Sequence, residues 1–99
     1  MSNYILSEQA LDDINRIWIY TVENWSVEQA DRYYNLIFDE IEYIVANFEI
    51  ARDFGTVRKD YRCSKVKSHL IFFRKTKSNE IEVVRVLHER MDIEIRISE

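Results

Sequence analysis

Four consecutive large apolar residues, Leu70-Ile71-Phe72-Phe73, constrain the fold of this chain more than any other feature. Side chains of a strand alternate between the two faces of its sheet, so a strand with one wet face alternates apolar and polar residues. Here Leu70 and Phe72 fall on one face, and Ile71 and Phe73 on the other. Such a strand needs cover on both sides and belongs in the middle of a sheet. Its neighbours can be read as well. Tyr61 to Val66, Ser68 to Lys75 and Ile81 to Leu87 read as three strands, with the polar turn Ser78-Asn79 joining the second to the third.

Upstream the period changes. Asn3 to Leu6 is short and β-prone, and Ser7 suits a helix N-cap. Leu11, Ile14, Trp18, Val22 and Trp25 then recur at helical spacing, with Asp12, Asp13, Asn15 and Glu23 off that stripe. This helix is expected to end near Asn24. Ser26 and Gln29 form a capping box for a second helix, with Glu28 favourably placed in its first turn. Val27, Ala30, Tyr34, Ile37, Ile41, Ile44 and Phe48 follow at alternating spacings of three and four, and Tyr33, Leu36 and Tyr43 widen the apolar arc. The short link at Trp25-Ser26 makes the two helices an antiparallel hairpin. Glu49 to Asp60, around the sole glycine Gly55, reads as a loop. In the tail, Ile93, Ile95 and Ile97 alternate as in a strand, while Ile93 and Ile97 also fit a helical turn. The expected fold is α+β, one domain over residues 1–99 in the order β-α-α-β-β-β, an antiparallel sheet with an α-helical hairpin packed on one face.

Composition excludes several classes of function. A lone cysteine, Cys63, rules out an intrachain disulfide and suits a reducing cytoplasm. No apolar run is long enough to span a bilayer. One cysteine and two histidines without paired spacing make no zinc site, and a single glycine cannot build a phosphate-cradling loop, so no metal or cofactor is expected. Charge is divided unevenly. Residues 1–51 hold ten carboxylates against two arginines, whereas nine of the eleven charged residues from Arg52 to Lys77 are basic. Halves of opposite sign either attract each other across the fold or present a cationic side to an acidic partner.

Candidate sites follow from these patterns. His88 lies beside Arg85 and Arg90 after the last strand. It could serve as a general acid or base with the arginines stabilising anionic charge, or fix the tail by a hydrogen bond. His69 opens the central strand and reads as structural. The carboxylate pairs Asp12-Asp13 and Asp39-Glu40 read as solvated helix surface. Lys65 and Lys67 share a strand face, where they either protect an edge or bind an anion. Tyr20, Trp25, Tyr33, Tyr34 and Tyr43 are many aromatics for so small a core, and any left exposed would anchor a partner helix or strand.

The string Arg85-Val86-Leu87-His88-Glu89-Arg90-Met91-Asp92, with His69-Leu70-Ile71-Phe72-Phe73-Arg74, resembles the ParE branch of the RelE/ParE toxin superfamily. The similarity extends to Tyr4 to Ser7, Ala10 to Ile17, Tyr20-Thr21, Trp25, Gln29-Ala30 and Tyr33. The chain departs from the family at Ser26, where glycine is frequent, and at Asn47-Phe48-Glu49, where a proline often follows the second helix. The resemblance implies a cytoplasmic toxin that inhibits DNA gyrase, is not itself an enzyme, and is neutralised by a ParD-like antitoxin. Nucleic acid would be met only indirectly, through the antitoxin or gyrase. It further implies a gyrase-binding surface at Arg74, Arg85, His88, Arg90 and Met91, and an antitoxin-binding surface on the hairpin at Trp18, Trp25, Tyr33, Tyr34 and Tyr43. Two alternatives stand beside it. One is a RelE-like ribosome-dependent mRNA endoribonuclease using Lys65, Lys67, Arg74 and Arg85 with His88 as acid or base. The other is an inactive antitoxin-binding module.

Overall fold

Ser7 ends one element and starts the next. Its side chain accepts from the Ala10 amide at 3.0 Å, capping a helix just after a short strand. The structure is a computed structural model and describes residues 4–48, 52–53, 60–91 and 96–97. Its elements are β1 (Tyr4–Leu6), α1 (Glu8–Asn24), α2 (Val27–Ala46), β2 (Arg52–Asp53), β3 (Arg62–Val66), β4 (His69–Lys75) and β5 (Ile81–His88). The second helix is capped like the first, with Ser26 Oγ accepting from the Gln29 amide at 3.0 Å. Both caps, the end of α1 at Asn24 and the helical hairpin match the sequence reading.

The sheet has the order β1-β5-β4-β3-β2, and β4 is its central strand. The pairs β2–β3, β3–β4 and β4–β5 are antiparallel, as expected, but β1 lies parallel to β5, so the sheet is mixed. β2 falls inside the segment read as a loop. Two residues are too few for an alternating pattern to reveal. The remainder of that segment up to residue 59, including Gly55, lies outside the described residues, as do positions 92–95 and 98–99 of the tail. At 96–97 the backbone is helical.

The sheet carries a core on each face. On the helix side, Ala10 and Ile14 of α1 and Ile37, Ile41 and Ile44 of α2 pack on Ile71, Phe73, Val83 and Val86. On the other side Cys63, Leu70, Phe72 and Leu87 cluster with Ile97 from the tail. Leu70 to Phe73 are thus buried on both faces. Full burial of each such side chain contributes about 1.5–3 kcal/mol.

α1 turns a different face inward from the expected stripe, whereas α2 follows its expected seam except at Val27 and Tyr34. α1 turns Ala10, Asp13, Ile14 and Thr21 inward and leaves Leu11 and Trp25 exposed; α2 buries Ala30, Ile37, Ile41 and Ile44 but leaves Val27 and Tyr34 exposed. Both helices are apolar on more than one side, and the sheet takes the side with smaller and β-branched residues, which allows closer approach. No helix among the described residues is long and apolar enough to cross a membrane.

Candidate functional site

The first residues of α1 complete the edge of β5. β1 pairs only with Ile81, Glu82 and Val83, so the rest of β5 would present unmatched backbone groups. The Ser7 amide donates to the Val83 carbonyl at 3.0 Å, and the Ser7 hydroxyl donates to the Val84 carbonyl at 2.8 Å. Six residues on, the Asp13 carboxylate accepts from the Val86 amide at 3.0 Å. A bulge lies at the same place. Phe73 opposes Val83 and Phe72 opposes Arg85, which leaves Val84 as the extra residue. Bulges re-aim side chains. Here Arg85 is turned onto Asp13, with Nε donating at 2.8 Å and Nη2 at 3.1 Å, while Nη1 is 3.4 Å from the Arg96 carbonyl oxygen. The side chains of Arg85 and Asp13 are only 13% and 8% exposed.

This pair corrects two expectations. Asp12 is exposed, but its neighbour Asp13 is a buried ion-pair partner, not solvated surface. The second pair divides the same way: Asp39 is exposed, while Glu40 is half-buried and accepts a hydrogen bond from the Ser64 hydroxyl. Arg85 holds α1 to the sheet, so its guanidinium does not reach outward as a freely exposed cation would.

Beside the Asp13–Arg85 pair lies a cleft of about 580 Å³ between α1 and the end of β4–β5 remote from their connecting turn. α1 contributes Arg16 and Tyr20, the β3–β4 turn Ser68, and the segments after β5 Met91 and Arg96. His69 and His88, paired across β4 and β5, meet edge-on with ring centroids 5.1 Å apart. Tyr33 Oη donates to the Val66 carbonyl at 3.0 Å and lies 2.6 Å from His69 Nδ1. The Tyr33 hydroxyl thus ties the His69 ring to the β3–β4 turn. Burial, reinforced by the neighbouring His88, pushes the His69 pKa down to about 4, so the ring is neutral at neutral pH. Burial also raises the Tyr33 phenol. His88 Nδ1 accepts from the Arg90 amide at 3.1 Å. The adjacent Glu89 is held below the usual carboxylate range by its hydrogen bond from Lys65, at 3.0 Å.

The expected target-binding residues do not all meet. His88, Arg90 and Met91 lie together at the cleft end of β5. Arg74 lies at the other end of β4, against Glu82 at 2.8 Å. Five residues of extended chain separate it from His69, roughly 17 Å. The residues considered for nuclease chemistry are dispersed as well: Lys65 pairs with Glu89, Arg74 with Glu82 and Arg85 with Asp13. Among the described residues, no three His, Cys, Asp or Glu side chains are grouped to hold a metal.

On the hairpin, Trp25 is 69% exposed, and Tyr34 and Tyr43 are exposed too. Trp18 is half-buried and donates from Nε1 to Asp31 at 3.0 Å. Trp18, Ile19 and Tyr34 line a shallow depression of about 510 Å³. Tyr33 is placed differently, its phenol facing the β3–β4 turn through His69 and Val66. Sequence reasoning missed Asp13, Arg16 and Arg96. The spacing of Ala10, Ile14, Ile17 and Thr21 could have shown the inward face of α1, and with it that Asp13 points into the fold.

Comparison with known proteins agrees with this architecture. Residues 4–93 match the family model described as ParE toxin of type II toxin-antitoxin system, parDE. The chain is 39% identical over 93 residues to Toxin ParE1 of Mycobacterium tuberculosis (strain ATCC 25618 / H37Rv), covering 94% of this chain and 95% of the relative. It is 34% identical over 92 residues to Toxin ParE1 of Caulobacter vibrioides, covering 93% and 94%. Among solved structures, a chain titled "Chromosomal ParDE TA system from P. aeruginosa" superposes with a TM-score of 0.75 at 17% identity, covering 89% of this chain and 96% of that one, a likeness of fold.

Proposed function

Because the chain belongs to the ParE toxin family of type II toxin–antitoxin systems, we propose that it acts in the cytoplasm by inhibiting DNA gyrase and that a ParD-like antitoxin neutralises it. The match to the family model over residues 4–93 carries this reading. Two surfaces support it. Trp25, Tyr34 and Tyr43 stand exposed on the hairpin, together with Ile19 and Leu36. Tyr34 shares a depression with Trp18 and Ile19, while Leu36 and Tyr43 lie on another side of α2; exposed large apolar side chains on several sides of a hairpin suit a partner that wraps it, and an antitoxin segment that folds on binding is such a partner. At the end of β5, Arg90 and Met91 are exposed beside His88 and form the part of the predicted target surface that reaches solvent together. Arg74 would make a separate contact and Arg85 would act by fixing α1.

The test is a gyrase supercoiling assay with purified toxin, run with and without the co-encoded antitoxin. Inhibition that rises with toxin and is relieved by stoichiometric antitoxin is the expected result. Full supercoiling activity at saturating toxin would refute the gyrase assignment. Inhibition that the antitoxin leaves unchanged would refute the assigned mode of neutralisation.

A further inference from the structure

Among the described residues, the cleft beside Asp13 and Arg85 is lined by three arginines and one carboxylate. Arg85 pairs with Asp13, the one carboxylate among the described residues that line the cleft. Arg16 and Arg96 line the same cleft, both are exposed, and neither makes an ion pair within the described residues. Glu89, close by in sequence, is held by Lys65. Arg16 and Tyr20 are four residues apart on α1 and so are neighbours on one helical face. Tyr20 is 63% exposed, which leaves most of its ring unused by the core.

We propose that this cleft binds a nucleoside phosphate, with the guanidinium groups of Arg16 and Arg96 on the phosphate and the ring of Tyr20 against the base. Two planar guanidinium forks suit phosphate oxygens, which they can bind bidentately. A partly exposed aromatic ring with Ile17 and Met91 in the same cleft suits a flat, weakly polar group, and stacking is indifferent to which base it meets. The volume, about 580 Å³, lies in the range of small-molecule sites. Ser68 and His88 add hydrogen-bonding groups. His69, neutral at neutral pH, adds no further charge. An acidic peptide could satisfy the arginines but would bring nothing flat for Tyr20. The cleft shares His88 and Met91 with the proposed target surface, but nucleotide titration reads binding alone, so its failure would leave the gyrase reading standing.

Calorimetric or NMR titration of the full-length chain tests this. The probes are AMP, adenosine, inorganic phosphate, the 5′-phosphorylated dinucleotide pApA and a short polyglutamate. AMP should bind saturably, with adenosine and phosphate each weaker by about tenfold or more. Arg16→Ala and Tyr20→Ala should each weaken AMP by roughly tenfold, the loss expected for a charge-assisted hydrogen bond or one stacking contact. Both positions are exposed, so melting temperatures should hold. Lys77→Ala, in the distant β4–β5 turn, should bind like the parent. Binding of pApA at least as tight as AMP assigns the ligand to the end of a nucleic-acid strand; rejection of pApA with retention of AMP assigns it to a free nucleotide. The proposal is overturned if neither AMP nor pApA saturates by about 10 mM. It is equally overturned if AMP binding survives in the Arg16→Ala/Arg96→Ala double variant, or if polyglutamate binds more tightly than AMP.

Discussion

Replacing Asp13 with alanine should remove a large share of this domain's stability. The carboxylate accepts three hydrogen bonds, two from Arg85 at 2.8 and 3.1 Å and one from the Val86 amide at 3.0 Å. Truncation takes the Asp13 carboxylate away from a guanidinium only 13% exposed and leaves an edge amide without its acceptor. Removing one member of a buried ion pair costs about 3–5 kcal/mol. A domain of this length is held by only about 5–15 kcal/mol, so the variant should lie near the limit of folding. Asp13→Asn keeps an acceptor for Val86 and should lose less. In the double variant Asp13→Ala/Arg85→Met both members of the pair are gone and the Val86 amide is left as the main penalty, about 1–3 kcal/mol. It should therefore be more stable than Asp13→Ala alone. Urea unfolding followed by circular dichroism gives the three free energies, with unchanged slopes required for comparison. A loss below about 1 kcal/mol for Asp13→Ala, or a double variant less stable than the single one, would refute the reasoning, because the pair would then behave like an exposed one.

Ser7 both caps α1 and donates to the Val84 carbonyl, so Ser7→Ala should cost about 1–3 kcal/mol by urea unfolding, with an unchanged midpoint arguing that water replaces both bonds. His69 has a folded pKa of about 4 against an ordinary value of 6.5, in surroundings that include His88, Glu89 and Asp13. Protonation therefore favours the unfolded chain. The stability contributed by the neutral ring is complete above about pH 6.5 and fades as pH falls toward 4, by roughly 1–3 kcal/mol. His69→Gln should flatten that slope, and an NMR titration of His69 with a midpoint above 6 would contradict its origin. Trp25→Ala and Tyr43→Ala remove exposed side chains, so they should leave the melting temperature nearly unchanged while weakening antitoxin binding by roughly tenfold or more, measured by calorimetry; unaltered affinity in both would move the antitoxin off these two side chains.

Local chemistry made much of this fold legible. Ser7 and Ser26 announce their helices because a hydroxyl before an apolar period satisfies free amides, and both are found in that role. Leu70 to Phe73 announce a central strand because only a strand covered on both faces tolerates them. The parallel pairing of β1 with β5 was not legible, since no local pattern fixes the direction in which strands distant in sequence meet. The inward face of α1 was hidden because the helix has two apolar sides. Leu11, Trp18 and Trp25 outweigh Ala10, Ile14 and Thr21 in bulk, but the sheet takes the smaller set. That inversion concealed Asp13, and with it the ion pair that Arg85 makes. The bulge at Val84 was equally invisible, because an extra residue shows only against the strand that it opposes.

The same inversion explains how one short helix serves two surfaces. With Ala10, Asp13, Ile14 and Thr21 against the sheet, α1 has its bulk left for other contacts. Trp18 and Ile19 form part of the depression facing α2, while Arg16 and Tyr20 face the cleft. These four residues occupy little more than one turn, so ligands at the two surfaces would meet the same stretch of helix from opposite sides. That turn has no freedom to drift. The Ser7 bonds fix its start, and the Asp13–Arg85 pair fixes it one turn before Arg16. A buried salt bridge contributes little net stability compared with an apolar pair of the same size. Its use here is geometric: a bidentate fork sets the distance and rotation of α1 on β5, which apolar packing alone would leave free to slide. An Asp13→Leu/Arg85→Leu variant could therefore match the parent in stability and still lose the alignment of Arg16 and Tyr20 over the cleft, a separation of stability from function that truncation of either residue alone could not reveal.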